Sequence, residues 1–302
     1  MSSYFIGIDG GGTKTLARLE DANGTLTTAK SGASSLTQDL NGAITNVVEI
    51  SRQLLASTPI AAEQTHVVCG VAGAGNPTSA TKLQQALLAE GFRSVQVTSD
   101  AKTSLVGAGA GTPIVMVAVG TGSVAMQLGR DGITRQFGGW GLAVGDEGSG
   151  AAIGKSLVRA LLWELDIHGH AKSSVCQEVM SVVGQERAQI LPWLQSAGSR
   201  EYAALAPTVF KHLPHCALAG EIVRKTAAEV DRLIEAASDG ETLPLALLGG
   251  LADKLAPHLR PAHQARQIPA LGTALDGACI MARQCGEPST ETRKKNSIQH
   301  GS

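Results

Sequence analysis

Two distant stretches of this chain share one layout, and that repetition limits the fold more than any other feature. "YFIGIDGGGTKTLARLED", from Tyr4 to Asp21, is an apolar run, a triple-glycine turn and a second strand-like run, which continues through "ANG" into "TLTTAK". "IVMVAVGTGSVAMQLGRDGITRQF" repeats the order with a Gly-Thr-Gly-Ser turn and then an Asp-Gly turn. Thr13 stands eleven residues before Gly24, and Thr121 stands eleven before Gly132. Each stretch reads as a three-strand meander, because Asn-Gly and Asp-Gly are favoured in tight hairpin turns. A repeated meander predicts two structurally similar halves, although two short hairpins can also look alike by chance.

Between the repeats, "THVVCGVAGAG" reads as a buried strand, "SATKLQQALLAEG" as an amphipathic helix ended by Gly91, and "SVQVTSD" as a strand ending at Asp100. Strands alternating with helices predict an α/β fold. Helical stretches are expected at 150–164, 175–182 and 217–237, followed by "LPLALLGGLADKLAPHL", a strand, a double glycine and a helix that Pro257 interrupts. Two further helices, after Asp100 and from Ala270 to Cys285, carry Ala, Gly, Ser and Thr at helical spacing. Such faces let two helices cross closely, and they are expected at the junction of the halves; ordinary packing in an alanine-rich chain is the plainer reading. The expected domains are 1–112 and 113–285, with a polar tail over 286–302 that frays.

The glycine loops narrow the chemistry. A Walker A loop needs Gly-Lys followed by Ser or Thr, but Thr13 separates Gly12 from Lys14. A dinucleotide fingerprint counted from Gly10 would need glycine at Thr15, and both of those motifs open a helix where this loop opens a strand. What remains is an anion cradle of turn amides, with the Thr13 hydroxyl and the Lys14 charge beside Gly11 and Gly12. Asp9 is placed to hold magnesium through water, since magnesium prefers oxygen ligands and keeps much of its hydration. The second turn, with Thr121, Gly122 and Ser123, would bind other phosphate oxygens. Gly249 and Gly250 leave room for a flat group to approach the backbone. Asp100, at a strand end and a helix start, serves either as a general base or, with Ser99, as a helix cap.

With these residues in place, the chain resembles the actin, heat-shock ATPase and sugar-kinase superfamily. "GIDGGGTKT" is similar to its first phosphate motif, "AVGTGS" to its second and "LLGGLADKL" to its adenosine motif. Within it, "VTSDA", "GTGS" and above all "GGWGLAVGDEGSG" (138–150) resemble the BadF/BadG/BcrA/BcrD-type ATPases, and more closely the N-acetylglucosamine and glucosamine kinases. The resemblance covers the chain to about Gln284. It implies two ribonuclease-H-like domains with an ATP cleft between them, ATP and magnesium as cofactors, and an amino sugar phosphorylated on its 6-hydroxyl in a salvage role. It makes Asp100 the catalytic base. Gly139, Trp140, Gly141 and Asp146 become sugar contacts, with Trp140 also readable as a core anchor of the loop. Glu147 is readable as a sugar contact or as a cap for the helix beginning near Gly150, and the capping role is the one expected. Two asparagines of the N-acetylglucosamine kinases are missing: their positions hold Ser35 and Val124. Ser35 and Ser123 therefore join the candidate sugar contacts, and "REYAALAPTVFKH" and "RKTAAEVDRLIEA" look more like bacterial glucosamine kinases. Which amino sugar is used stays open.

Charge and cysteines bound the remaining options. A net charge of −1 gives no broad nucleic-acid surface. No stretch reaches the roughly 18 apolar residues of a spanning helix, so no membrane partner and a cytoplasmic location are expected. Whether the chain forms a homodimer is open. The five cysteines are scattered and read as reduced thiols. That argues against a reductase-activating ATPase of the 2-hydroxyacyl-CoA dehydratase or benzoyl-CoA reductase type, which needs clustered cysteines for an iron–sulfur centre. A sugar-sensing protein without transfer activity is the other alternative. The close His168/His170 and His212/His215 pairs have no third ligand at metal spacing.

Overall fold

The computed structural model describes residues 3–286; the expected tail from Gly286 onward lies almost wholly outside them. In chain order the strands are β1 (Tyr4–Gly10), β2 (Thr15–Asp21), β3 (Gly24–Ser31), β4 (Thr65–Val71), β5 (Ser94–Thr98), β6 (Ile114–Val119), β7 (Ser123–Leu128), β8 (Thr134–Gly138) and β9 (Leu245–Leu248). The helices are α1 (Leu40–Ala56), α2 (Pro77–Ala89), α3 (Asp100–Ala108), α4 (Gly150–His168), α5 (Ser174–Val183), α6 (Arg187–Ser196), α7 (Ser199–Ala203), α8 (Ala206–His212), α9 (Ala217–Ser238), α10 (Ala252–Leu255), α11 (Pro261–Gln264) and α12 (Ala274–Gly286).

The chain divides into two units, one running to Thr112 and resuming at Ala270, the other Pro113–Pro269. The expected boundary of the second domain at residue 285 is therefore corrected: the final helix belongs with the first unit. The small residues of α12 explain this. A Cβ on Gly277 would collide with the Thr103 carbonyl oxygen of α3, and one on Gly107 of α3 would collide with the Thr273 carbonyl. Only backbones without side chains can cross so closely. Arg18 of β2 pairs with Asp276 at 2.8 Å, and Arg283 Nε donates to the buried Glu20 of β2 at 2.9 Å, so charge fixes the same helix to the sheet.

The first unit is a sheet of order β3-β2-β1-β4-β5, antiparallel across the meander and parallel from β1 to β5. Period-two side-chain alternation splits its faces. Ile6 and Ile8 join Val67, Cys69, Leu54 and Leu83 in the core with α1 and α2, while Val68 packs with Val106, Ala278 and Met281 on the face of α3 and α12. All seven residues of β4 are buried, as a strand covered by helices on both faces must be.

The second unit repeats the scheme as β8-β7-β6-β9, with the meander antiparallel and β9 parallel to β6. A single parallel bridge from Leu245 to Gln267 stands where the first unit has its fifth strand. Val115, Val117 and Val119 pack with Ile153, Leu157, Val223 and Val230, which places α4 and α9 on the sheet. Each half is thus a meander, a crossover and a parallel strand, as the sequence repeat implies. Among the described residues no helix is long and apolar enough to cross a membrane.

Candidate active site

In open α/β sheets, functional groups collect beyond the carboxyl ends of parallel strands, and in the first unit β1, β4 and β5 supply them. Asp9 of β1 pairs in register with Gly70 of β4, and Gly70 pairs with Thr98 of β5. Asp100 follows two residues beyond Thr98, so the two carboxylates stand on either side of the end of β4, near Gly70. Burial and the nearby Asp100 carboxylate raise the Asp9 pKa above the ordinary aspartate value, and Lys14 pulls it back.

Asp100 is not the cap of α3. The Ser99 hydroxyl accepts the Lys102 N–H at 3.2 Å and fills that role. Asp100 Oδ1 accepts the adjacent Ala101 N–H at 2.9 Å, and its Oδ2 has no hydrogen-bond partner among the described residues. The start of the helix therefore leaves one Asp100 carboxylate oxygen uncommitted.

The first glycine loop closes with the Gly11 N–H donating to the Lys14 carbonyl at 3.1 Å. The N–H groups of Gly12, Thr13 and Lys14 have no backbone acceptor among the described residues, and these three residues are exposed. Gly10 is required sterically, since a Cβ would run into the Ser34 hydroxyl, whereas Gly11 faces open space. The loop is stitched to its neighbour by Ser34 N–H to the Gly11 carbonyl at 2.9 Å and by Thr15 Oγ1 to Ser34 Oγ at 2.8 Å. Ser35 lies in that stitched turn and is buried, 6% exposed, with its carbonyl accepting the Gln38 and Asp39 N–H groups. Thr37, Gln38 and Asp39 are exposed there, and the Gln38 amide lies beside Gly12.

The second unit builds the corresponding edge. Gly120 N–H donates to the Gly122 carbonyl at 2.9 Å, and the N–H groups of Thr121 and Gly122 have no backbone acceptor among the described residues. The start of α4 is seated on this turn: Gly150 N–H reaches the Gly120 carbonyl at 2.8 Å and Ala151 N–H the Thr121 carbonyl at 3.1 Å. Ser149 caps α4 by accepting the Ala152 N–H at 3.1 Å. Glu147, expected to cap, does not; its carboxylate is too early in the chain, and it lines a pocket of about 250 Å³ with Trp140, Glu229, Arg232 and Leu233.

The loop from Gly138 to Gly150 has left-handed backbone at Gly138, Gly139, Gly141, Asp146 and Gly148. Asp146 is 8% exposed, and its carboxylate lies against Gly122, where a Cβ would stand 2.9 Å from Oδ2. The 138–150 loop and the second glycine turn thus meet within one unit. Trp140 is 79% exposed, which excludes the core-anchor reading. Ser123 is buried and donates its hydroxyl to the Glu147 carbonyl at 2.6 Å, so in this structure it ties the loop down. Val124 packs under Gly139. At the end of β9, Gly249 has φ of +96° and a Cβ there would strike the Val119 carbonyl, while Gly250 faces open space. This is a bare backbone surface beside the end of β6.

Two residues outside the motifs matter. Glu229 of α9 accepts the Gly148 N–H at 2.8 Å, and burial raises its pKa, with Gly148 opposing and Glu147 adding to the rise. It sits mid-helix, and only its place on the buried flank of an amphipathic pattern could have marked it. Asp231, also on α9, is 3% exposed and holds the His263 ring at 2.6 Å and the Arg260 N–H at 3.2 Å, which fixes the segment after α10.

The fold and the two glycine cradles define an α/β protein of the actin-like ATPase fold, with ribonuclease-H-like units. The chain belongs to the BadF/BadG/BcrA/BcrD ATPase family, whose model matches residues 6–260. Among individual relatives, it is 28% identical to the glucosamine kinase GspK of Vibrio cholerae over 93% of this chain and 96% of that one. A crystal structure from Chromobacterium violaceum, provisionally described as an N-acetylglucosamine kinase, is 31% identical with a TM-score of 0.77, covering 93% of this chain and 99% of that one. A Porphyromonas gingivalis structure of like description shares the fold at 19% identity and a TM-score of 0.63, over 94% and 99% of the two chains.

The raised Asp9 pKa has a measurable consequence. A carboxylate whose folded-state pKa lies above its unfolded value destabilises the fold once ionised, so stability is lost as pH rises through that range. Asp9→Asn is therefore expected to raise the Tm of the unliganded protein at neutral pH, with no gain at a pH below the ordinary aspartate value, while kinase turnover falls. Thermal melts at both pH values check this; an unchanged neutral-pH Tm would contradict the strained pair.

Proposed function

We propose that this chain is an ATP-dependent kinase of N-acetylglucosamine or glucosamine, transferring the γ-phosphoryl group to the 6-hydroxyl in cytoplasmic amino-sugar salvage. The observation that carries the reading is Asp100, held at the β5 end with Ser99 as the cap and one carboxylate oxygen unpartnered. In the reaction, Asp100 takes the proton of the sugar hydroxyl as its oxygen bonds to the γ-phosphorus. The bond from that phosphorus to the bridging oxygen breaks, and ADP leaves with the electron pair. The unpaired N–H groups of Gly12, Thr13, Lys14, Thr121 and Gly122 suit phosphate oxygens, and the Lys14 ammonium adds charge. Gly249 and Gly250 suit the adenosine, and Gly139, Trp140, Gly141 and Asp146 the sugar.

Magnesium fits Asp9: a half-buried carboxylate facing a second one gains from a cation nearby, and an ion keeping most of its waters needs few protein ligands. When bound, it would supply charge neutralisation on the phosphates. Ser35 and Ser123 are kept as sugar-side candidates, acting through the turns they build. Glucosamine and N-acetylglucosamine kinases are what the full-length relatives are described as, which supports the amino-sugar assignment. Four of the five cysteines are buried and the fifth, Cys285, is exposed without a partner cysteine; this favours the kinase over the reductase activator.

An ATP-coupled assay of glucosamine, N-acetylglucosamine, N-acetylmannosamine and glucose on one preparation tests the reading. One of the first two sugars is expected to give the highest kcat/KM by at least about tenfold. Sugar-independent ATP hydrolysis alone, or sugar binding without turnover, would overturn it.

A further inference from the structure

The Asp146–Gly148 turn presents its aspartate from a strained backbone. Asp146 has φ of +58° and Gly148 +80°, and a non-glycine residue in that region costs about 1–2 kcal/mol, so the turn persists only if its surroundings fix it. Three contacts do so. On one side the Ser123 hydroxyl donates to the Glu147 carbonyl at 2.6 Å. On the other, Glu229 Oε2 accepts the Gly148 N–H at 2.8 Å, and a Cβ at Gly148 would stand 2.5 Å from Val230 Cγ2, so the backbone rests on α9. Next to this contact lies the pocket of about 250 Å³ lined by Trp140, Glu147, Glu229, Arg232 and Leu233. Beyond the Val230 contact that flank is open, so the hydrogen bond to Glu229 helps keep the turn from relaxing into it.

We propose that Glu229 is a positioning residue for sugar binding: it clamps the Asp146–Gly148 turn so that the Asp146 carboxylate stays against Gly122. The proposal rests on the kinase reading for its consequence, and on the hydrogen bond for its mechanism. Glu229 does not touch the reacting atoms. The loss of this one hydrogen bond corresponds to about tenfold in the population of the ordered turn. An amide oxygen keeps the acceptor, which makes Gln the conservative replacement.

The test compares Glu229→Ala and Glu229→Gln with the unaltered protein in two measurements. Amide hydrogen exchange over residues 146–148 is expected to speed up about tenfold in Glu229→Ala and to stay near the unaltered rate in Glu229→Gln. With the preferred amino sugar, Glu229→Ala is expected to raise the sugar KM about tenfold while kcat and the ATP KM change less than threefold, and Glu229→Gln restores the sugar KM. Unchanged exchange in Glu229→Ala, or equal loosening by both substitutions, overturns the clamp. A rise of sugar and ATP KM together with a lowered Tm assigns Glu229 a merely structural role and also overturns it. Should no amino sugar be turned over by the unaltered protein, the kinase reading fails while exchange still decides the clamp.

Discussion

Asp100→Asn is expected to lower sugar phosphorylation about 10³-fold with ATP affinity changed only a few-fold. Asparagine keeps the size and an oxygen that can accept the Ala101 N–H, but it cannot take a proton from the attacking hydroxyl. The alternative, that this residue starts the helix, makes the opposite forecast. If capping were its role, the substitution would be nearly silent for turnover, because asparagine also caps well. Ser99 already accepts the Lys102 N–H at 3.2 Å, so α3 should not fray in the variant. Removing the Asp100 charge also relieves the repulsion that helps raise the Asp9 pKa, so the Tm at neutral pH should hold or rise. Loss of turnover together with an undiminished Tm is thus the signature of a base. Wild-type kcat in Asp100→Asn would remove Asp100 from the chemistry.

What the sequence made legible was local. A glycine turn between two strands needs only its own few residues, and both glycine turns and the meanders stand where the repeat and the turn chemistry place them, while the strand expected to run to Asp100 stops at Thr98 and Asp100 opens α3. The double glycine divides into two different roles that only packing shows: Gly249 is forced by its φ and by the Val119 carbonyl, while Gly250 leaves open space. Side-chain assignments that depend on which way a turn folds were less accessible. Ser35 is expected on the sugar side from its place in the chain, yet the bonds from Thr15 and Gly11 to Ser34 pull its turn inward and bury it. Glu147 and Ser149 both stand near the start of α4, but only Ser149 is three residues before an N–H it can accept, that of Ala152.

Long-range partners were the least legible. Glu229 lies 81 residues from Gly148, on a helix whose periodicity says only which flank is buried. The small-residue spacing of α3 and α12 announced a close crossing, and the crossing exists; it did not announce that α12 completes the first unit. That follows from contacts with β1 and β2, in which Cys279 fills the space over Gly7 and Arg283 meets Glu20.

The same crossing sets the largest stability effect expected of a single methyl group. In Gly277→Ala the new Cβ would collide with the Thr103 carbonyl oxygen and stand 2.6 Å from the Gly107 nitrogen, both backbone atoms that no rotamer change can clear. Alanine gains about 1 kcal/mol of helix propensity over glycine, so the collision must first exceed that gain. Overpacking of a rigid contact costs about 1–3 kcal/mol, and more where backbones must separate; a net loss of about 2–3 kcal/mol is expected, roughly 10 °C in Tm for a unit of this size. Gly220→Ala on α9 is the control, because nothing lies within 4 Å of its Cβ position; it should be neutral or stabilising by up to about 1 kcal/mol. Calorimetry of the two variants separates collision from propensity, and equal melting temperatures would mean that α3 and α12 do not cross backbone to backbone. Turnover should fall with stability in Gly277→Ala alone, since pushing α12 away shifts Cys279 from Gly7 on the strand that carries Asp9.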